Sequence, residues 1–332
     1  MISAQDHELF RRLVDGAERF VLTTHIQPDG DALGSEYGLA SYLAQRGKQV
    51  RIVNRDPTPE SLCFIGADGP PAEVYDSAVH DSAFLTQDLV VLLDNSVPDR
   101  LGRMAPVMGR VAARTLCIDH HPAREMPWAH VILDQASCAT AMMVYRLARE
   151  AGWIPDRGAA EAIYVGLATD TGFFRFNSSG PEAYEVAAEL VRLGADPARV
   201  YAAIYERNSL AFTRLMGHAL ADVRVDGGAV ASVVLTREMI EKVEGADVDT
   251  SEITTALLAM AGIKLALLFR ELDRGQVKVS LRSKDTLDVH RLAGEFGGGG
   301  HRNASGIVTA GTLEDVVRRV VQRATALAAA GG

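Results

Sequence analysis

The sequence predicts an α/β protein: a doubly wound, mainly parallel sheet followed by a smaller α/β domain. Buried parallel strands read as short, continuous apolar runs. Four such runs end in polar residues in the first half of the chain: RFVLTTH (19–25), KQVRIV (48–53), DLVVLLD (88–94) and RTLCIDHH (114–121). Helical patterns lie between them, such as 34–47, whose last residue, Gly47, suits a helix C-cap. This alternation of strands and helices is typical of a doubly wound sheet.

The length of 332 residues is that of about two domains. We expect a first domain over 1–194, a helical linker over 195–219 and a second domain over 220–330. Successive helices are predicted at 137–152, 159–170 and 181–194. The second domain opens with two strand patterns around the turn signal Asp226-Gly227-Gly228, continues through the strand patterns KLALLFRE and QVKVSLRS, and ends in an amphipathic helix near 312–328.

Composition restricts the partners of the protein. The chain has 43 acidic and 34 basic residues, a formal net charge of −9, whereas proteins that hold long duplex nucleic acid are normally basic. A small anionic substrate fits better. The three cysteines form no CxxC pair, which indicates a reducing compartment without structural zinc. No signal peptide and no apolar run of about 18 to 20 residues is seen, so we predict a cytoplasmic protein that does not span a membrane.

Charged residues follow the predicted strands, where the carboxyl ends of a parallel sheet face the ligand crevice. An isolated aspartate after a strand is more often a helix cap, but here four segments converge. Two unit charges about 4 Å apart repel by about 4 kcal/mol at an effective dielectric of about 20, so clustered carboxylates need divalent cations. Carboxylates with imidazoles suit Mn²⁺, Mg²⁺ or Co²⁺. The candidate residues are His25, Asp29, Asp31, Asp94, Asp119, His120, His121 and Asp170.

Five ordered segments resemble one known family. Four of them, HIQPDGDALGS (25–35), LLDNSVPDRLG (92–102), CIDHHP (117–122) and GLATDTGFFRF (166–176), are similar to the four motifs of DHH phosphoesterases. The fifth, GGGGHRNASG (297–306), is similar to the DHH-associated C-terminal domain. The resemblance covers nearly the whole chain and implies an active site in the cleft between the two domains, with two divalent metal ions, foremost Mn²⁺.

The resemblance also implies roles for single residues. One metal ion would be bound by His25, Asp29, Asp94 and Asp170, and the other by Asp31, Asp94, His120 and Asp170. Asp119 would orient the histidines, and His121 would contact the scissile phosphate or assist the leaving group. A metal pair of this kind can generate a hydroxide nucleophile at neutral pH and stabilise an in-line displacement.

Substrate-binding candidates lie in the glycine-rich segment and just before it. Gly298, Gly299 and Gly300 permit close backbone approach to an anion. By resemblance, Arg282, which lies on a candidate strand edge, and His301 would hold a terminal phosphate. Ser305 would belong to the same phosphate grip. Lys284 and Arg302 are explained equally well as part of this grip or as surface charges. Phe173, Phe174 and Phe176 are candidates for stacking a base, but we expect at least two of them to belong to the core.

The resemblance implies hydrolysis of short oligoribonucleotides to 5′-mononucleotides and of 3′-phosphoadenosine 5′-phosphate to AMP. A phosphodiesterase for cyclic or linear dinucleotides such as pApA or pGpG is the alternative within the same chemistry. Inorganic pyrophosphatases of the family have a different C-terminal domain, and RecJ-type exonucleases are larger. A non-catalytic nucleotide-binding sensor is the alternative of another class, but it would have lost a metal ligand and none is missing. The resemblance is compatible with a homodimer.

Overall fold

The computed structural model describes residues 2–67, 69–122, 126–242, 251–284 and 286–330. The chain divides into two compact units, Met1–Arg207 and Asn208–Gly332. Two helices and the turn between them occupy most of 195–219. The finer boundaries expected from the sequence, at 194, 195–219 and 220, stay a prediction.

Within the described ranges, the first unit contains six strands and eight α-helices, and the second unit contains six strands and five α-helices. The helices are α1 Ala4–Asp15, α2 Gly30–Gln45, α3 Ser77–Thr86, α4 Ala105–Val111, α5 Thr140–Glu150, α6 Arg157–Asp170, α7 Pro181–Arg192, α8 Pro197–Tyr205, α9 Leu210–Ala221, α10 Arg237–Glu241, α11 Ser251–Ala259, α12 Val289–Gly294 and α13 Leu313–Ala330. The strands are β1 Arg19–Thr23, β2 Gln49–Asn54, β3 Ala72–Val74, β4 Leu89–Leu93, β5 Thr115–Asp119, β6 His130–Leu133, β7 Arg224–Asp226, β8 Val230–Leu235, β9 Leu265–Leu272, β10 Gln276–Ser283, β11 Gly299–His301 and β12 Ala304–Ala310.

The first sheet is parallel throughout, with strand order β3-β2-β1-β4-β5-β6. This order confirms the predicted doubly wound fold. From β1 the chain first adds strands on one side of the sheet and then, with β4, on the other side. Doubly wound sheets bind ligands at this switch point between β1 and β4. Alternate residues of the strands enter two separate cores. Leu22 packs with residues of α2, α5 and α6, whereas Val21 packs with residues of α3 and α4. Both faces are therefore covered by helices, which explains the continuous apolar runs.

Helix α2 begins at Gly30, four residues before the predicted start at residue 34. The reason is the side chain of Asp29, which accepts hydrogen bonds from the amides of Asp31 and Ala32 at 3.1 Å each. A carboxylate at this N-cap position favours the helix start. The early start places Asp31 inside the first turn of α2, so its side chain is held by a helix and not by a loop.

The second unit is built on a mixed sheet of order β11-β12-β10-β9-β8-β7. Strands β8 and β9 are parallel, and the other neighbours are antiparallel. The predicted hairpin at Asp226-Gly227-Gly228 joins β7 to β8. The prediction that Arg282 lies on a strand edge is wrong, because β10 pairs with β9 on one side and with β12 on the other.

Within the described ranges, every helix is either too short or too polar to pass through a lipid bilayer.

Candidate metal centre

Six predicted metal ligands lie together at the carboxyl edge of the first sheet. Three groups of donor atoms each fit within 4.8 Å. One joins His25, Asp29 and Asp94; a second joins Asp31, His120 and Asp170; the third joins Asp94 to His120 and His121. The residues follow β1, β4 and β5 or lie at the ends of α2 and α6, as the topology of a parallel sheet requires.

The distances between donor atoms leave room for cations. His25 Nε2 lies 3.4 Å from Asp94 Oδ2, and His120 Nε2 lies 3.5 Å from Asp94 Oδ1. His120 Nε2 is also 3.5 Å from Asp170 Oδ2. These separations exceed the usual 2.7–3.2 Å of an N–H···O hydrogen bond. Asp94 therefore faces the two histidines with different oxygens, the arrangement that a bridging ligand needs.

The tautomers of the two histidines are fixed by backbone carbonyls. Nδ1 of His25 lies 2.7 Å from the carbonyl oxygen of Ile26, and Nδ1 of His120 lies 3.2 Å from that of Ser137. Because a carbonyl only accepts, each neutral ring has its proton on Nδ1 and a free lone pair on Nε2. Both Nε2 atoms are buried and lack a hydrogen-bond partner among the described residues. A metal ion is the group that such a buried nitrogen fits.

Asp31 is held by the start of another helix. Its two carboxylate oxygens accept hydrogen bonds from the amides of Thr140 and Ala141, at 2.7 and 2.8 Å. The hydroxyl of Thr140 donates to Asp94 Oδ1 at 2.9 Å. Thr140 thus positions two predicted ligands, although the sequence did not single it out. A threonine at the start of an apolar helical pattern can be recognised in the sequence. Its partners, 46 and 109 residues away, cannot be predicted from the sequence.

Close packing of α2 on α6 brings Asp31 beside the end of α6. A Cβ atom at Gly34 would lie 2.4 Å from the carbonyl oxygen of Ala162. At Gly166 it would lie 2.5 Å from Ala141 Cβ and 3.0 Å from Asp31 Oδ1. Only glycine permits this approach. The two glycines therefore set the distance between the carboxylates that start α2 and the one that ends α6.

The backbone of Asp94 is strained. Its φ of 56° lies in the left-handed region, yet its amide still donates to the carbonyl of Ile118 at 3.0 Å. A non-glycine residue in this region costs on the order of 1–3 kcal/mol, and such residues cluster at functional sites. The conformation turns the Asp94 carboxylate toward the cluster directly after β4 ends.

Negative charge is crowded at this edge. Burial, together with the charges of Asp94 and Asp170, raises the pKa of Asp31 well above its usual range. Burial, Asp94 and Asp29 likewise raise the pKa of Asp170 to about 6, against the effect of His120. Despite its burial, Asp94 has a pKa lowered to about 2, because the neighbouring histidines favour its anion. No lysine or arginine of the described ranges forms an ion pair with these three carboxylates.

His121 is paired with Asp119 beside the cluster. Asp119 Oδ1 accepts a hydrogen bond from His121 Nδ1 at 2.8 Å and from the His121 amide at 3.1 Å. The side-chain hydrogen bond raises the pKa of His121 to about 8, although burial opposes it. Asp119 is fully buried, whereas about a third of the His121 side chain is exposed. The geometry agrees with the predicted pairing, and the catalytic roles stay predictions.

The predicted substrate-binding residues are in the second unit. Gly299 and Gly300 form β11 with His301, whose side chain lies outside the described residues. The amide of Gly298 is not available to an anion, because it donates to the carbonyl of Ala293 at 2.9 Å. Ser305 is 4% exposed within β12, and Arg282 is half-buried. Their roles in binding substrate stay predictions.

Comparison with known proteins identifies the family. Residues 19–167 match the DHH family, N-terminal domain, and residues 228–330 match the DHHA1 domain. The chain belongs to the DHH family, which confirms the resemblance seen in the motifs.

Relatives are similar over most of their length. The bifunctional oligoribonuclease and PAP phosphatase NrnA of Thermus thermophilus is 33% identical over 91% of this chain and 87% of its own. The protein of the same name from Bacillus subtilis is 29% identical, over 89% and 90%. An exopolyphosphatase-related protein of Bacteroides fragilis superposes with a TM-score of 0.91 at 30% identity, over 98% and 96% of the two chains. Exonuclease RecJ bound to manganese has the same fold, with a TM-score of 0.54 at 15% identity, over 98% and 95%.

Proposed function

We propose that this protein hydrolyses short oligoribonucleotides to 5′-mononucleotides and 3′-phosphoadenosine 5′-phosphate to AMP, using two divalent metal ions. Family membership makes it a hydrolase of phosphoester bonds. The substrates are inferred from the NrnA relatives, which it matches over most of their length. The observation that carries the metal dependence is the pair of buried histidine Nε2 atoms facing carboxylates that form no ion pair with a lysine or arginine of the described ranges.

The donor set divides into two groups of three residues each. His25, Asp29 and Asp94 would bind one ion, and Asp31, His120 and Asp170 the other, with Asp94 and Asp170 as the proposed bridges. Oxygen and imidazole donors favour Mn²⁺, with Mg²⁺ or Co²⁺ as substitutes. Bound there, the ions would lower the pKa of water and offset charge that develops on the phosphate.

The exposed side of the cluster indicates where the phosphate enters. Asp31 and Asp94 have side chains at most 3% exposed, whereas those of Asp29, Asp170 and His121 are 60%, 35% and 34% exposed. His121 therefore faces the open side. Asp119 holds Nδ1 of His121 at 2.8 Å, so the Nε2 atom would donate a proton to the leaving oxygen.

The test offers the purified protein, with Mn²⁺ and with EDTA, four substrates in parallel: a pentaribonucleotide, 3′-phosphoadenosine 5′-phosphate, pApA and cyclic di-AMP. We expect Mn²⁺-dependent release of mononucleotides from the first three. Exclusive cleavage of pApA or cyclic di-AMP would establish the dinucleotide phosphodiesterase instead. Binding of Mn²⁺ and nucleotide without any hydrolysis would establish the sensor.

A further inference from the structure

A left-handed turn follows Asp170. Three consecutive residues, Gly172, Phe173 and Phe174, have φ angles of 58°, 53° and 64°. Left-handed residues normally occur singly, and each non-glycine one costs on the order of a kcal/mol or more. The turn is nonetheless firmly held. The Phe173 amide donates to the carbonyl of Ala168 at 2.6 Å, and the Phe174 amide donates to Thr171 Oγ1 at 3.1 Å.

The two strained phenylalanines anchor the turn in the first unit. The ring of Phe173 lies 5.2 Å from that of Tyr201 and 5.1 Å from that of Tyr205, both edge to face. The ring of Phe174 lies 5.2 Å from that of Tyr184. Phe173 and Phe174 are half-buried and pack against the main core, as expected for at least two phenylalanines of this motif. Their packing offsets the strain but does not explain what the turn accomplishes.

The turn returns the chain to Thr171, the residue that follows Asp170. The amides of Arg175 and Phe176 both donate to the carbonyl of Thr171, at 3.0 Å each, so Phe176 stands close to the residue that follows Asp170. The Phe176 ring lies directly on Gly172, because a Cβ atom there would be 2.5 Å from it. This ring is nevertheless 52% exposed.

A positive charge lies beside the exposed ring. The Arg175 guanidinium carbon is 5.8 Å from the Phe176 ring centroid, and Arg175 Nε donates to the carbonyl of Gly172 at 2.9 Å. An exposed aromatic ring next to an arginine is the combination that proteins use to bind single-stranded nucleic acid, because every base has a face that stacks.

We propose that Phe176 is the platform on which a nucleobase of the substrate stacks while the adjoining phosphate lies at the metal centre. The inference rests on the proposed function and specifies its substrates as nucleotides held through a base. A single exposed phenylalanine is ordinary on a protein surface. Two strained phenylalanines that fix this one in the turn directly after Asp170 are not, and an aromatic base is the occupant that matches an apolar ring flanked by a cation.

The experiment compares Phe176→Ala, Phe176→Trp and the unchanged protein on pApA and on an analogue of pApA without bases. Loss of stacking is expected to raise KM for pApA roughly tenfold in Phe176→Ala, with kcat within about twofold. The KM for the base-free analogue should not change. Phe176→Trp should keep or lower the KM for pApA. Ile154→Ala removes an apolar side chain that is 63% exposed elsewhere on the first unit, and it should behave like the unchanged protein.

Binding of 5′-AMP, measured calorimetrically in the presence of Mn²⁺, separates the two proposals. If the unchanged protein cleaves pApA and Phe176→Ala has the same KM and the same AMP affinity, the stacking platform is refuted and the proposed function stands. If the unchanged protein cleaves no nucleotide, the proposed function is refuted; weaker AMP binding by Phe176→Ala would then still support the platform, and equal binding would refute it.

Discussion

Carboxylates on the surface of this protein and carboxylates at the edge of the first sheet are in opposite electrostatic situations. On the surface, Asp88 is bound by Arg19 at 2.9 Å, and Glu295 is bound by Arg323 at 2.7 and 2.8 Å. These hydrogen bonds lower the pKa of Asp88 to about 2 and also lower that of Glu295. At the sheet edge, burial raises the pKa values of Asp31 and Asp170, and Asp94 keeps a low pKa through neighbouring histidines, not through an arginine. The fold pairs the surface carboxylates with arginines and leaves the sheet-edge carboxylates without a lysine or arginine partner in the described ranges. A bound metal ion would supply the missing positive charge.

The largest effect is expected from Asp94→Asn. The amide keeps the shape and the acceptor for the Thr140 hydroxyl but removes the charge that faces both histidines. We expect kcat with Mn²⁺ to fall by roughly a thousandfold. In EDTA the free energy of unfolding at neutral pH should fall, because the lowered pKa of Asp94 means that the folded state stabilises its anion beside the histidines. Steady-state kinetics and urea denaturation measure both, and a variant with normal kcat would contradict a role of Asp94 in the metal site.

Metal ions should stabilise the folded protein. A cation that binds only the folded state adds about 2.7 kcal/mol at a free concentration one hundred times its Kd. Thermal melting with Mn²⁺ and with EDTA measures this, and Asp170→Asn, which removes one charge of the cluster, should reduce the difference. Identical melting curves for the unchanged protein under both conditions would count against a metal site at this edge.

Thr140→Val tests the residue that positions two carboxylates. The valine keeps the shape and the backbone amide that bonds Asp31, but it cannot donate to Asp94. Loss of such a supporting hydrogen bond should weaken Mn²⁺ binding by roughly 10- to 100-fold. Isothermal titration calorimetry gives the affinity, with Thr140→Ser as the control that retains the hydroxyl. Equal affinities of the valine and serine variants would show that the hydroxyl does not matter.

Glu36→Gln tests how burial alone affects the pKa of a carboxyl group that has no cation beside it within the described ranges. Burial raises the pKa of Glu36 from 4.5 to about 8, although Asn54 donates a hydrogen bond to it. The folded state therefore favours the protonated acid, while the unfolded chain ionises above pH 4.5. The free energy of unfolding should fall as pH rises from about 4.5 to about 8, by up to about 1.4 kcal/mol per pH unit. The glutamine variant should lack this contribution.

Urea denaturation of both proteins at pH 5, 6, 7 and 8 measures the contribution of Glu36. The difference in unfolding free energy between Glu36→Gln and the unchanged protein should grow in favour of the variant as pH rises. A difference that is constant over this range would mean that Glu36 is not protonated in the folded state.

The smallest effect is expected from Glu295→Gln. Its ion pair with Arg323 joins side chains that are 43% and 54% exposed. Exposed pairs contribute about 0–1 kcal/mol and weaken with salt. Urea denaturation at low and high ionic strength should show a loss within that range that shrinks as salt is added. A larger loss of unfolding free energy that does not depend on salt would contradict the proposed difference between surface carboxylates and those at the sheet edge.

Much of the site was predictable because its signals are local. An apolar run that ends in Asp94 predicts a strand and the place of the charge that follows it. The same holds for His25 after β1 and for His120 after β5, and the parallel topology brings all three to one edge. The start of α2 was misplaced, although the capping carboxylate of Asp29 was present in the sequence.

Other features could not be predicted from the sequence. The interior place of β10 depends on β12, whose pairing residues lie more than twenty positions further along the chain. The hydroxyl of Thr140 finds Asp94 only after two elements dock. The left-handed turn at 172–174 is a glycine followed by two phenylalanines, and local propensity favours that conformation only at the glycine.

The sequence alone determined which charged residues stand at the strand ends and in what order they occur, because strand periodicity and charge at strand ends act over a few neighbours. Only the tertiary structure decided which atoms of those residues already have a hydrogen-bond partner. The backbone carbonyls of Ile26 and Ser137 occupy the Nδ1 atoms of two histidines and leave their Nε2 atoms unpaired. Such pairing depends on packing between segments distant in the chain, and buried polar groups without partners become costly only when that packing excludes water.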